Sequence, residues 1–181
     1  MNGNVVVVVG NPRPGSRTAA VARALGRRVA GDGEVRVIEL AELAGELFDP
    51  ASAAVAEAVD AVRGAAALVV ASPTYKATYT GLLKAFLDRF AADALLGIPT
   101  VPLMVAGAPH HALAVETSLR PVLVEIGASM PTRGVFVLDA DLTDPGAALE
   151  AWSTTYLAVL APAVAARVAA RAHPVATEVT A

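Results

Sequence analysis

The chain contains no cysteine. That excludes a disulfide scaffold, a thiol nucleophile and a zinc–thiolate centre. It fits a reducing compartment, and a cytoplasmic location is expected. Aromatic residues make up only 4% of the 181 and charged residues 17%, with a formal net charge of −3 and a pI near 5.6. A nucleic-acid binder needs a basic face, and this balance offers none. The strand-like segments lack long apolar runs, although 55% of residues are hydrophobic and mean hydropathy is +0.56. Val5–Val9 stops at Gly10–Asn11–Pro12 and Ala65–Ala71 stops at Ser72–Pro73. Roughly 20 apolar residues are needed to cross a bilayer, so neither run spans. Met1–Asn2–Gly3–Asn4 gives no positive flank, and no signal peptide is expected. Neither nucleic acid nor membrane is expected as a partner. Internal repeats and domain linkers are absent from the sequence.

What is present is an alternation of short apolar runs with longer amphipathic segments. Val5–Val9, Glu34–Leu40, Ala66–Ala71, Thr100–Ala106 and Met130–Leu138 read as strands. Thr18–Ala30, Ala51–Arg63, Gly81–Phe90, Ala112–Ile126 and Pro145–Arg171 read as helices, the last with a bend expected at Pro162. Val5–Val9 is apolar on both faces, so helices must cover both sides of its sheet, which makes the sheet parallel. Right-handed crossovers leave few topologies. The simplest is a five-stranded sheet in the order 2-1-3-4-5, an α/β three-layer sandwich of flavodoxin-like type. Residues 1–171 are expected to form one domain and 172–181 a frayed tail. Ligands of such sheets bind at the carboxyl ends of the strands, so the residues that follow strands one, three and four are the candidates.

After the first strand comes Gly10–Asn11–Pro12–Arg13–Pro14–Gly15–Ser16–Arg17–Thr18 and then a helix. Backbone N–H groups at a helix start, hydroxyls at Ser16 and Thr18, and cations at Arg13 and Arg17 are the parts of an anion site. Ser16–Arg17 replaces the Lys–Ser/Thr pair of a Walker loop, and the Gly-x-Gly-x-x-Gly pattern is absent. No Asp follows to hold Mg²⁺, so the loop suits a phosphate that is gripped and not transferred. The plainer alternative is that Ser16 or Thr18 caps the helix. After the third strand, Ser72–Pro73–Thr74–Tyr75–Lys76–Ala77–Thr78–Tyr79–Thr80–Gly81 offers a stacking wall and backbone donors for a flat aromatic ligand. The alternative is a cap at Thr80 with tyrosines covering the core edge. After the fourth strand, Ala106–Gly107–Ala108–Pro109–His110–His111 lets a ring approach backbone at Gly107, while His110 or His111 caps a helix or lies over the ligand. Adjacent histidines without a third ligand do not make a metal site, and none is expected. Lys84 and Asp88 are spaced as a surface pair. Asp139, Asp141 and Asp144 read as a solvated turn. No Gly-x-Ser-x-Gly elbow exists, so an α/β hydrolase is not expected.

Taken together, the three loops resemble the NADPH-dependent FMN reductase family, most closely its sulfonate-utilisation type, over about residues 5–138. The first loop is similar to the family's phosphate loop. The run from Ser72 to Asp88 is similar to its most distinctive stretch. His111–Ala112–Leu113–Ala114, Leu119–Arg120–Pro121–Val122–Leu123 and Gly127 resemble its fourth helix. The resemblance implies FMN as cofactor and NADPH or NADH as hydride donor. It implies phosphate contacts from Arg13, Ser16 and Thr18, with Asn11 and Arg17 as further candidate cofactor-binding residues of the same loop. It implies a ring pocket from Pro73, Thr74, Tyr75 and Lys76 with Gly107 at the other edge and no acid–base residue, and Ala108 and His110 are further candidate cofactor-binding residues. It further implies a homodimer or homotetramer that supplies reduced flavin to a partner monooxygenase. An FMN-retaining quinone or azo reductase and a flavodoxin-like electron carrier are the alternatives. Three departures stand out: Asn11 where many relatives have Ser, Ala106–Gly107–Ala108 for Gly-Gly-Ser/Thr, and Thr117 where some flavin-releasing members carry Tyr.

Overall fold

The structure, a computed structural model, describes residues 3–173. Its five strands are β1 (Val5–Val9), β2 (Val35–Glu39), β3 (Ala67–Pro73), β4 (Thr100–Ala106) and β5 (Val135–Leu138). They form one parallel sheet in the order β2-β1-β3-β4-β5. The helices are α1 (Arg17–Ala30), α2 (Ala53–Arg63), α3 (Gly81–Leu87), α4 (Arg120–Glu125) and α5 (Pro145–Ala172). The flavodoxin-like sandwich expected from the alternation of runs is the observed fold.

The two-sided burial of the central strands explains the layers. Alternate residues of β1 face opposite ways. Val6 and Val8 enter a core with Val55, Leu83, Phe86 and Leu123. Val5, Val7 and Val9 enter a second core with Val21, Leu25, Leu149 and Leu160. Each buried valine contributes about 1.5–3 kcal/mol relative to an exposed one, so a polar residue anywhere in Val5–Val9 would be costly. β2 is an edge strand, and only Ile38 of it is fully buried.

α5 is long and apolar enough, by length and composition, to cross a membrane, which the shorter runs weighed from sequence are not. Here its inner face, Leu149, Trp152, Leu160 and Val164, seals the sheet beside α1. Asp144 caps its start by accepting from the N–H groups of Gly146 and Ala147. Pro162 lies inside the helix without ending it. At its far end Arg171 donates to Asn4 Oδ1 at 3.0 Å, so both ends of the described chain meet below the sheet. Helix α5 extends to Ala172, one residue into the tail expected to fray; residues 174–181 lie outside the described residues.

The fourth helix departs from expectation. Instead of a uniform α-helix over Ala112–Ile126, Val115–Leu119 forms a π-helical turn that leads into α4. The hydroxyls of Thr117 and Ser118 donate to the carbonyls of Leu113 and Ala114, and such back-bonding loosens the regular ladder. Glu116 pairs with Arg120 and accepts the Gly134 N–H at 2.6 Å. Arg120 also donates to the carbonyls of Met130 and Thr132. Burial pushes the Glu116 carboxyl up. The Arg120 hydrogen bond, the Gly134 N–H and the charges of Arg120 and Arg133 outweigh it and hold it below its ordinary value. A depressed native value means stability that is full above the unfolded value near 4.5 and lost as pH falls through the native one. Glu116→Gln is therefore expected to cost about 1 kcal/mol at neutral pH, and the gap to wild type should narrow as pH falls below the unfolded value near 4.5. Thermal melts across pH 3–8 measure this.

Candidate functional site

The cleft lies at the carboxyl ends of β1, β3 and β4, where doubly wound sheets bind ligands. It has a volume of about 410 Å³, within the roughly 300–1,000 Å³ usual for small-molecule sites. Its walls come from the loop before α1, the loop after β3, the turn after β4 and the first residue after β5.

The first loop is held in shape by its own side chains. Asn11 is buried; its amide donates to Thr18 Oγ1 at 3.2 Å and its carbonyl accepts the Arg13 N–H at 2.9 Å. This Asn therefore braces the loop from within. Gly15 takes a positive φ of 62°, and its N–H donates to Glu39 Oε2 at 2.8 Å. Ser16 caps α1 by accepting from Ala19 N at 3.2 Å, so the capping alternative is real for Ser16. An accepting hydroxyl keeps its proton to donate, so capping and anion binding are compatible. Arg17 reaches Asp139 Oδ2 at 2.5 Å. Among the described residues, the Arg13 guanidinium, exposed on the cleft wall, has no such partner.

The second loop is bolted to the first. Thr80 Oγ1 donates to the Gly10 carbonyl at 2.6 Å and accepts from Leu83 N, capping α3. Ser72 Oγ in turn accepts the Thr80 N–H at 3.0 Å. Between these anchors, Tyr75 and Thr78 exchange backbone hydrogen bonds around Lys76 and Ala77, which take φ of 51° and 68°. Two positive φ values in succession make a type I′ turn, costly for residues with a Cβ. The turn presents Tyr75 with 47% of its surface exposed at the cleft.

Asn11, Arg13, Ser16, Arg17, Thr18, Pro73, Thr74, Tyr75 and Gly107 line one cleft, as the sequence groups them. Lys76 stands exposed in the turn beyond it, and Ala108 and His110 also fall outside the lining. The His110 ring packs on His111 at 4.1 Å. Lys84 pairs with Asp88 at 2.5 Å, as their spacing implies. Pro14, Gly15, Val105, Ala106 and Asp139 complete the walls without having been singled out as ligand contacts. Asp139 is the consequential omission: it was grouped with Asp141 and Asp144 as a turn. Its position directly after β5, the same place as the other loops occupy after their strands, was the available signal.

Two features fit a flat, phosphorylated aromatic ligand. Thr74 Oγ1 is buried with no hydrogen-bond partner, an atom that a ligand edge would satisfy. A Cβ built on Gly107 would meet nothing within 4 Å, leaving room for a ring at the backbone. Fold and cleft thus define a flavodoxin-like α/β protein with a ligand-sized cleft at the carboxyl ends of its strands.

The comparisons make this specific: the chain belongs to the NADPH-dependent FMN reductase family, whose model matches residues 4–143. It is 35% identical over 146 residues to an FMN reductase (NADPH) of Escherichia coli, covering 77% of this chain and 75% of that one. It is 34% identical over 140 residues to the NADH-dependent FMN reductase SfnF of Pseudomonas putida, covering 73% and 75%. Among solved structures it is similar to apo NADH:FMN oxidoreductase EMOB, at 34% identity and a TM-score of 0.75 over 93% of this chain and 90% of that one. The protein is an NAD(P)H:FMN oxidoreductase, with FMN as cofactor and a reduced nicotinamide as donor. The electron-carrier alternative is set aside.

Proposed function

We propose that the cleft holds FMN with its phosphate at the start of α1 and its ring between Tyr75 and Gly107, and that reduced FMN is released to a partner monooxygenase. One observation carries this reading: a cationic, hydroxyl-bearing helix start and an exposed tyrosine wall face the same cleft. Arg13, Ser16, Arg17 and Thr18 supply charge and donors for the phosphate, and Asn11 shapes their loop. Pro73 fixes the exit of β3, Thr74 offers its unpaired hydroxyl, and Tyr75 covers the ring. FMN, when bound, supplies the acceptor for the nicotinamide's hydride. Such a transfer asks the chain for stacking and alignment more than for a general base. The walls provide these through backbone and aromatic surface. Copies of the chain associate as a dimer or tetramer through the fourth-helix region, where Leu113 and Val124 are 65% and 57% exposed.

The test uses flavin-stripped protein with NADPH or NADH, with and without added FMN. We expect saturable nicotinamide oxidation that requires added FMN, and flavin that separates from the protein on gel filtration. Turnover indifferent to added FMN, with flavin co-eluting, would overturn release and favour a reductase that keeps its cofactor. The same column reports the number of subunits.

A further inference from the structure

Asp139 is an acidic wall in a site built for an anion. It opens the turn after β5, lines the cleft, and takes the Arg17 guanidinium at 2.5 Å. Stability does not explain the pair: the Arg17 and Asp139 side chains are 66% and 37% exposed, and ion pairs so exposed contribute little. Charge balance does. The charged groups of the cleft wall are Arg13, Arg17 and Asp139, a sum of one positive charge. A phosphate monoester brings about −1.5 to −2. Arg17 is also the first residue of α1, where the helix dipole favours an anion. Asp139 supplies that negative charge in this structure, and a phosphate would supply it in the complex. Both compete for one guanidinium.

We propose that Asp139 competes with the phosphate of FMN for Arg17 and thereby keeps phosphorylated flavin exchangeable. This rests on the reading that the first loop takes the phosphate. Asp139 acts through Arg17, and its influence is confined to flavins that carry the phosphate. A flavin lacking the phosphate leaves the Arg17–Asp139 pair in place and is indifferent to it.

The test is fluorescence titration of flavin-stripped wild type, Asp139→Asn, Arg17→Ala and the double variant with FMN and with riboflavin. Asparagine keeps the shape of the side chain, and a thermal melt confirms folding. We expect Asp139→Asn to bind FMN about two- to ten-fold tighter at low salt, with slower release in stopped flow and unchanged riboflavin affinity. In the Arg17→Ala background the gain should fall below about two-fold, the coupling expected of groups acting on each other. A wild type that prefers FMN together with an Asp139→Asn variant that binds it no tighter overturns the role of Asp139 alone. Equal tightening toward both flavins overturns it as well. A wild type that binds FMN and riboflavin equally removes the phosphate reading and this inference with it.

Discussion

Replacing Arg13 and Ser16 together by Ala is expected to weaken FMN binding by about 100-fold or more while the protein still folds. Arg13 is the cation of the loop with no partner among the described residues, so its full charge is available to a ligand. A hydrogen bond to a charged group contributes about 1.5–3 kcal/mol and a neutral one about 1, and each 1.4 kcal/mol is ten-fold in affinity. Ser16 also caps α1 through Ala19 N, so the double variant loses about 0.5–2 kcal/mol of stability and melts a few degrees lower. Riboflavin separates the two effects. A lost phosphate grip leaves riboflavin affinity unchanged, whereas a damaged fold reduces both. Unchanged FMN affinity in the double variant would remove these residues from the phosphate site.

A valine at Gly107 is expected to act at the other end of the ligand. The free protein should tolerate it, because an added Cβ meets no atom within 4 Å. Its melting temperature should therefore stay within a degree or two of wild type, corresponding to about 0.5 kcal/mol. The branched side chain would stand where the ring edge approaches the backbone. Crowding of that kind costs about 1–3 kcal/mol, which is roughly 5- to 150-fold in affinity. FMN and riboflavin should suffer alike, the opposite of the Arg13/Ser16 pattern. Full FMN affinity in Gly107→Val would move the ring away from this turn.

The parallel sheet was legible because Val5–Val9 and Ala66–Ala71 are apolar on both faces and alternate with amphipathic helices, and right-handed crossovers made 2-1-3-4-5 the simplest order. The loops were legible because proline, glycine and hydroxyl residues interrupt the pattern directly after buried strands. The π turn at Val115–Leu119 was not. Its apolar spacing reads as an ordinary helix, and the difference comes from two hydroxyls bonding carbonyls one turn back and from Glu116 reaching Gly134, a residue distant in sequence. Asp139 and Glu39 were missed for a related reason. Each is unremarkable among its neighbours in sequence and gains its role from a partner on another element, Arg17 for one and the Gly15 N–H for the other. Lys76 was placed at the ring because it sits inside the distinctive loop. The two positive-φ residues turn the chain there and leave it outside the cleft wall.

The meeting of Arg171 with Asn4 under the sheet has a practical side. The strands run from that floor toward the cleft, so Asn4 and Arg171 lie on the face opposite the mouth. Protein immobilised on a bead or electrode through that face would present its cleft to the bulk phase. Flavin and nicotinamide could then be flowed past it without the support crowding the mouth.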